Sequence, residues 1–596
     1  MQKTVPRHGA TLEHGPFVAR ETIHVCAAGC QREGARVTRH AAALAERLPP
    51  RGVFGYDVIA FVGLQRFVQH RQRDEIRAAL ASQYGIVVSA GEVSHLGRRF
   101  LAYLEALHEA RAGRLRDALA GDGGYPLHID ATGEDGRGTL LCAFAGWRGW
   151  VLGAWKIPTE RAESILPRLL AVVDKFGPPC AIMRDLGRAM EDASDGLVAA
   201  LQKSIPILAC HLHFLRDIGG DLLRDAHDSL RDLFRRFAIR ARLRAFTRGL
   251  GCALGSDIAL ARKGLLDWQG RGDQGHVLPD GEAGLATVRA LAQWVLDYPT
   301  DGEDKGFPFD LPYLDLLGRC QTACRAADAF VRRPGQDHKV TKAIRRLRMI
   351  LAPVESEIPF SKMAATLKAR NALFSELRNA LRLREKPSGK SRPAPIVLTA
   401  EQAAAELRDV KAAVDALAIS LQKRRPERGP AIDQRRAIDL ILAHLDRHGR
   451  FLFGHAVELP GEAGSGIRLV DRTNNVEESL FHHFKHGERR RSGRKILSQD
   501  LEQLPPAALL ATNLEHTDYV AILCGSLAGL PHAFAQLDAP SRLRSSLVAR
   551  ASARLENATD CDVVSASLPT ADRNLVRTDA MNQRIQSAAR SRAPRR

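Results

Sequence analysis

The sequence predicts an α+β multidomain protein, with a helical N-terminal part, a mixed α/β stretch and a long all-α stretch. Three observations lead there. Apolar residues recur at helical spacing from about residue 55 to 112. Residues 124–216 carry a three-strand meander followed by strand–helix alternation, the pattern of a mixed sheet. From 217 to about 450 the chain is Arg- and Leu-rich and helical again. At 596 residues there is room for two to four domains, and 45% hydrophobic against 26% charged residues excludes wholesale disorder.

Lys and Arg number 87 against 68 Asp and Glu, a net charge of +19, and the pI is about 9.8. Such an excess points to a polyanionic partner, most often nucleic acid, unless the source proteome is simply Arg-rich. The ten cysteines are scattered, which argues against a disulfide framework and for a reducing cytosol. The N-terminus lacks the apolar core of a signal peptide. Tyr519 to Leu537 carries no Asp, Glu, Lys or Arg, but its Gly525, Gly529, Pro531 and His532 favour a packed helix and turn over a membrane span. The expectation is a soluble protein.

Taken in order, residues 1–50 are polar and read as irregular. Cys26 and Cys30 with His24 and His40 could be the remains of a zinc ribbon, but the second ligand pair is missing and bound zinc is not expected. Residues 51–115 form a helical unit. Ile76, Ala79 and Leu80 share one face, Gly85 supplies a stop, and Ser89 to Glu92 opens the next helix as a capping box. That helix turns Val93, Leu96, Phe100 and Leu101 inward and leaves Ser94, His95, Arg98 and Arg99 outward. Two helices, a glycine-bearing turn and a basic outer face suit a helix-turn-helix entering a major groove, although plain helical hairpins look similar.

Across 124–216 the expected strands are 127–131, 139–144, 150–156, 180–183 and 205–209, with helices at 159–176 and 195–202. Trp147, Trp150 and Trp155 read as core rather than as base-stacking platforms. The all-α part, 217–465, breaks at 270–275, 302–312 and most clearly in the linker at 385–397, before one long Ala-rich helix at 399–423. A further segment spans 466–540. The basic C-terminal tail spans 541–596, and its final stretch, Arg573–Arg596, is expected to be disordered.

Functional side chains in a mixed sheet tend to collect at strand ends. Asp130 closes YPLHID and Asp185 closes CAIMRD, while Glu477 and Glu478 open a helix in RTNNVEESLFHHFK. Converging carboxylates repel one another unless a cation sits among them, and two hard divalent ions about 3.5–4 Å apart are a standard apparatus for attack on a phosphodiester. Singly, each Asp also fits a turn former or helix cap, and both Glu residues fit capping boxes. Spacing alone does not choose.

The segments HIDATGE (128–134), MRDLGRAM (183–190), ACHLHFLRDIG (209–219) and RTNNVEESLFHHFKHGERRRSGRK (472–495) resemble bacterial and archaeal insertion-sequence transposases of the DDE type. They are most similar to the group sharing a Cys/Asp-x2-His motif with Mutator-like elements. The stretch from Phe54 to Leu96 is similar to the helical DNA-binding portion of that group, and the resemblance runs in order from about residue 50 to 540. It implies an RNase H-like core, its first part at 124–216 and its last at 466–540, interrupted by the helical insertion. That would separate Asp185 from Glu478 by 478 − 185 = 293 residues.

The resemblance implies Asp130, Asp185 and Glu478 as the catalytic, metal-binding triad, with Mg²⁺ as the cofactor and Mn²⁺ as a substitute. Helical periodicity puts Glu477 nearer the apolar stripe than Glu478, so Glu477 stays open as a rival. Cys210 and His213 match the Cys-x2-His motif, either supporting the active site or serving packing and DNA positioning. Lys485, Arg489, Arg490, Arg491, Arg494 and Lys495 would neutralise phosphates of the cleaved strand. The implied activity is cleavage at transposon ends and strand transfer to target DNA, by a dimer or larger assembly on double-stranded DNA in a prokaryotic cytoplasm. The alternatives are a transposase-derived DNA-binding protein without catalysis, and an RNase H-like nuclease or resolvase.

Overall fold

A computed structural model describes residues 2–29, 31–32, 35–36, 38–39, 41–253, 281–301, 306–332, 337–383, 397–460 and 466–539. The expectations for Cys30, His40, the break at 270–275, nearly all of the 385–397 linker and the C-terminal tail lie outside these residues.

The N-terminus corrects the expectation of an irregular segment. Strands β1 (Gln2–Thr11) and β2 (Gly15–Val25) pair antiparallel from Gln2↔His24 to Thr11↔Gly15. Gly15 takes φ +64° where the three-residue loop rejoins β2, a position that favours glycine. β1 lies at the sheet edge, where Pro6 costs no ladder bond.

The helical unit follows: α1 (Ala42–Arg47), α2 (Tyr56–Gly63) running into a π-helical turn at Leu64–Val68, α3 (Arg73–Tyr84), α4 (Ala90–Ala110) and α5 (Ala112–Gly121). The periodicity held. Ile76, Ala79 and Leu80 on α3 are buried, as are Val93, Leu96, Phe100 and Leu101 on α4. Gly85 ends α3 at φ +67°, and Ser89 Oγ accepts the Glu92 N–H at 3.0 Å. Gly63 lets α2 touch α4, since a Cβ there would fall 1.9 Å from Phe100 Cγ.

The sheet comprises β3 (Pro126–Glu134), β4 (Arg137–Ala145), β5 (Trp150–Lys156), β6 (Ala181–Arg184) and β7 (Ile207–Ala209), in the spatial order β7-β6-β3-β4-β5. β3, β4 and β5 are antiparallel, whereas β6 runs parallel to β3 and β7 parallel to β6. Asp135 and Gly136, at φ +53° and +71°, make the tight β3–β4 turn, matching the Asp-Gly preference of type I′ hairpins. Helix α6 (Ala162–Phe176) joins β5 to β6, and α7 (Arg188–Leu201) joins β6 to β7. Trp147 and Trp150 are buried and Trp155 packs partly buried, as core residues should.

After β7 come α8 (His211–Arg236), α9 (Ile239–Ala253), α10 (Gly281–Leu296), α11 (Pro312–Val331), α12 (His338–Leu351), α13 (Ile358–Ala380), α14 (Ala400–Arg424) and α15 (Ile432–His448). They close around a core of their own, built on Phe214, Leu230, Phe360 and Leu377. The short strands β8 (Ala456–Glu458) and β9 (Ile467–Leu469) then return the chain to the sheet, where α16 (Asn475–Ser492) and α17 (Ser498–Gln503) follow.

Phe481, Phe484, Leu509 and Phe534 share one core with the N-terminal helices and the sheet. Asn513, in a 3-10 segment at Pro506–Glu515, exchanges both side-chain hydrogen bonds with the Val151 backbone and so covers β5. The apolar stretch Thr517–Asp538 is long and apolar enough to cross a membrane, but the backbone divides it. Helices α18 (Thr517–Cys524) and α19 (Leu530–Asp538) are separated by a turn at Gly525, φ +82°, in keeping with the expected packed helix and turn. Buried Asp538 accepts both the Tyr56 and Tyr103 hydroxyls, at 2.7 and 2.6 Å, locking α19 to α2 and α4. The eight cysteines among the described residues are all free thiols.

Candidate functional site

Register brings the first two carboxylates together. The β3–β6 ladder ends at Ile129↔Arg184, and the β6–β7 ladder at Arg184↔Ala209. The next residues along these three chain segments are Asp130, Asp185 and Cys210, with the Cys210 N–H bonded to the Arg184 carbonyl at 2.9 Å. Neighbouring strands lie about 4.8 Å apart, so the two Asp backbones are close neighbours. Asp130 does not close its strand as expected. β3 continues to Glu134 because β4 keeps pairing with it after β6 has stopped.

Asp185 Oδ1 accepts the Gly187 N–H at 2.9 Å, so one of its oxygens does serve the turn that opens α7. Asp130 accepts the Ala131 N–H at 2.7 Å and the Asn474 amide at 3.4 Å. Burial pushes the Asp130 carboxyl up to about 7, and the negative charge of Asp185 adds to this. The Ala131 N–H opposes the rise, while Glu478 and Glu160 contribute further repulsion. Glu160 itself is raised by burial and by Asp185. Burial and the neighbouring carboxylates thus outweigh the groups that would stabilise a charged Asp130.

Asn474 ties the start of α16 to the sheet. Its Oδ1 accepts from His128 Nδ1 at 2.6 Å, which fixes the proton on that nitrogen, and its backbone N–H meets Cys210 Sγ at 3.1 Å. Asn474, His128 and Cys210 are all fully buried. Burial pushes the Cys210 thiol up to about 11, so it acts here as a neutral acceptor.

The two glutamates that follow point to different neighbours. Glu477 is 0% exposed and lies toward Asp130 and Cys142, the residue opposite Asp130 on β4. Burial and then Asp130 hold its carboxyl well above the ordinary range, and Asp185 adds to the rise. Asn474 and Cys142 offset this only in part, because neither Glu477 oxygen reaches hydrogen-bond geometry. Glu478 stays partly exposed and is gripped by Arg216 of α8 through bonds of 2.7 and 3.4 Å. His213 Nε2 lies 3.6 Å from the same carboxylate. Burial pulls the His213 imidazole down, although Glu478 and Asp185 oppose it.

As the side chains lie, Asp130, Asp185 and Glu478 do not bring three oxygens within 4.8 Å of one another. Glu478 is turned to Arg216.

The basic run is more structural than expected. Lys485 donates to the Gly133 carbonyl at 2.7 Å, and Arg489 binds Glu134 at 3.0 Å and the Lys495 carbonyl. Arg491 pairs with buried Glu488, and Arg494 reaches Gln499 and Asp500 at 3.3 and 3.4 Å. The Lys485 and Arg489 bonds to Gly133 and Glu134 anchor α16 to the far end of β3. The Arg491–Glu488 pair is internal to α16, and Arg494 ties the turn after α16 to α17. Only Arg490 and Lys495 of the six stand exposed without such a side-chain bond. On α4, His95 and Arg98 are exposed, while Ser94 and Arg99 are half-buried and Ser94 Oγ bonds its own helix at Ala90.

Sequence reasoning missed one charged feature that joins these two regions. Burial pulls the Arg66 guanidinium down to about 10, and the positive charges of Arg491, Arg73 and Arg98 add to the shift against Glu488. A cationic cluster therefore links α4 to α16. Asn474, His128, Cys142 and Arg216 also went unassigned. The strand alternation of HID, which puts His128 on the face of Asp130, and the i,i+3 spacing of His213 and Arg216 were the available signals.

No protein-family model matches the chain, and no curated protein is significantly similar to it.

Proposed function

We propose that this chain is a DNA transposase of the DDE type, cutting at the ends of its element and joining them to target DNA. The observation that carries the reading is the register of Asp130 beside Asp185, with Asn474 tying the helix of Glu478 to Asp130. The strand order, three antiparallel strands followed by two parallel ones, supports an RNase H-like core. The cationic cluster around Arg66 supports double-stranded DNA as the partner, and cutting two ends favours a dimer or larger assembly.

The donor set suits Mg²⁺, or Mn²⁺ in its place. The groups are carboxylate oxygens, and the buried, unpaired Glu477 and the raised Asp130 mark uncompensated negative potential. Asp130, Asp185 and Glu478 would hold the ions, with Glu477 as rival for the third place. When bound, a divalent cation supplies Lewis-acid stabilisation of charge on phosphate oxygens. Water attacks the phosphodiester at the element end and releases a 3′ hydroxyl, which then attacks a target phosphodiester and displaces the target strand's own 3′ oxygen, protonated on leaving. Asn474 orients Asp130, His128 fixes the Asn474 amide, and Arg216 with His213 positions Glu478.

The Arg216–Glu478 ion pair favours a second reading, a transposase-derived DNA-binding protein that no longer cuts. Cleavage and strand transfer on a labelled element-end oligonucleotide with Mg²⁺ decide between them. The transposase reading expects joined products from wild type. It also expects Asp185→Asn to bind the same DNA with cleavage reduced more than about a hundredfold, beyond the range of outer-sphere changes. Binding without cutting by wild type on verified ends supports the second reading. Cleaved ends never joined to a target support a nuclease or resolvase.

A further inference from the structure

We infer that His70, His483 and Glu515 form a zinc site, separate from the carboxylates above, that clamps α16 to the N-terminal helical unit. One ligand atom from each of the three residues lies within 4.8 Å of the other two. His483 Nε2 is 3.2 Å from Glu515 Oε1, and the His70 and His483 ring centres are 5.6 Å apart. The three side chains come from separate places: the turn after the π-helical segment, the middle of α16, and the end of the 3-10 segment before α18.

Three features single out His70. Both its ring nitrogens are shielded from solvent and neither has a hydrogen-bond partner, a costly state that a bound ion would relieve at one of them. Its backbone sits at φ +52°, a left-handed conformation that a non-glycine residue adopts at a cost. The α16 surface is also cut to receive the ring, because a Cβ on Gly487 would fall 2.2–2.5 Å from three of its atoms. The π-helical turn just before it is a distortion often found at functional sites.

Two imidazoles and one carboxylate suit Zn²⁺, which takes His nitrogen and Glu oxygen ligands in tetrahedral sites, and they suit Mg²⁺ poorly. Three protein ligands leave a fourth position, and the exposure of His483 and Glu515 lets water fill it. α16 begins beside Asn474 and carries Glu478, so an ion at His483 would fix the helix one turn beyond the candidate third carboxylate.

The test is zinc titration of the full chain, stripped with chelator and held in excess Mg²⁺, against a competing chromophoric chelator. Wild type should bind one Zn²⁺ tightly and gain thermal stability from it. His483→Gln and Glu515→Gln, changes at exposed positions, should weaken that binding by more than about a hundredfold, beyond outer-sphere effects. Co²⁺ in place of zinc should give visible absorption of four-coordinate geometry in wild type and lose it in His483→Gln. Cys26→Ser should bind zinc as wild type does, which separates this site from the N-terminal cysteines. Asp185→Asn should also keep it, so the zinc site and the transposase reading fail independently. Absence of tight zinc binding, or binding unchanged in His483→Gln, overturns the inference and leaves a His483–Glu515 ion pair with His70 packed on it.

Discussion

The Asn474 amide bonds Asp130 across 344 residues of sequence, while its oxygen accepts the His128 Nδ1 proton at 2.6 Å. One side chain thus holds a carboxylate of β3, a histidine of the same strand and the start of α16. Asn474→Ala would remove the buried His128 Nδ1–Asn474 and Asn474–Asp130 hydrogen bonds, a loss of about 1–3 kcal/mol. Urea unfolding should show that loss, and cleavage should fall with it even at temperatures where the variant is fully folded.

Stability should fall as pH rises toward neutrality when divalent ions are absent. The Asp130 pKa rises from 3.8 to about 7 on folding, so the native state holds its proton more tightly than the unfolded chain does. Its contribution is complete below 3.8 and is lost as pH rises through about 7. The raised Glu477 carboxyl acts with the same sign. Unfolding midpoints in chelator between pH 4 and 8 should therefore slope downward, and Asp130→Asn should remove part of the slope. Mg²⁺ should restore wild type at pH 8 and help Asp130→Asn far less.

The adjacent glutamates should separate cleanly. Glu477→Gln replaces a buried acid with a neutral group of the same shape, so stability at pH 8 should hold or rise. Cleavage should survive that change and be lost in Glu478→Gln. If the opposite variant is the dead one, the third carboxylate is Glu477.

Two arginines near one another should fail differently. Arg98 is exposed on α4, so Arg98→Ala should weaken DNA binding, lower the salt slope by about 1 and leave stability alone. Arg491 pairs with Glu488, which is 2% exposed. Arg491→Ala should lower stability by roughly 1–3 kcal/mol, since it removes the hydrogen bonds to a buried carboxylate that then keeps Arg66 nearby. Thermal melts beside binding isotherms at several salt concentrations distinguish the two.

Local patterns were legible and distant partners were not. The faces of α3 and α4 followed from apolar spacing. The helix α7 starts at Arg188, about two turns before the expected start at 195, and it carries Gly196 in its interior. That glycine sits inside the helix, where a Cβ would lie 3.0 Å from Leu166 of α6. In the N-terminal hairpin, Pro6 and Gly9 broke the alternation that marks a strand. The basic run read as free charge because Glu134, which takes Arg489, is 355 residues away. Arg216 and Glu478, 262 residues apart, were equally beyond any sequence window.

The same long separations set a schedule. A ribosome adding about 5–20 residues per second needs roughly 17–70 s to make the 344 residues between Asp130 and Asn474. The sheet is completed at β7 partway through that interval and then stands with its carboxylates unaccompanied until Asn474 is made, and Tyr56 and Tyr103 wait longer still for Asp538. A nascent or prematurely ended chain therefore carries the helical unit without the machinery that closes over it. Only a molecule translated past Glu478 can assemble the site.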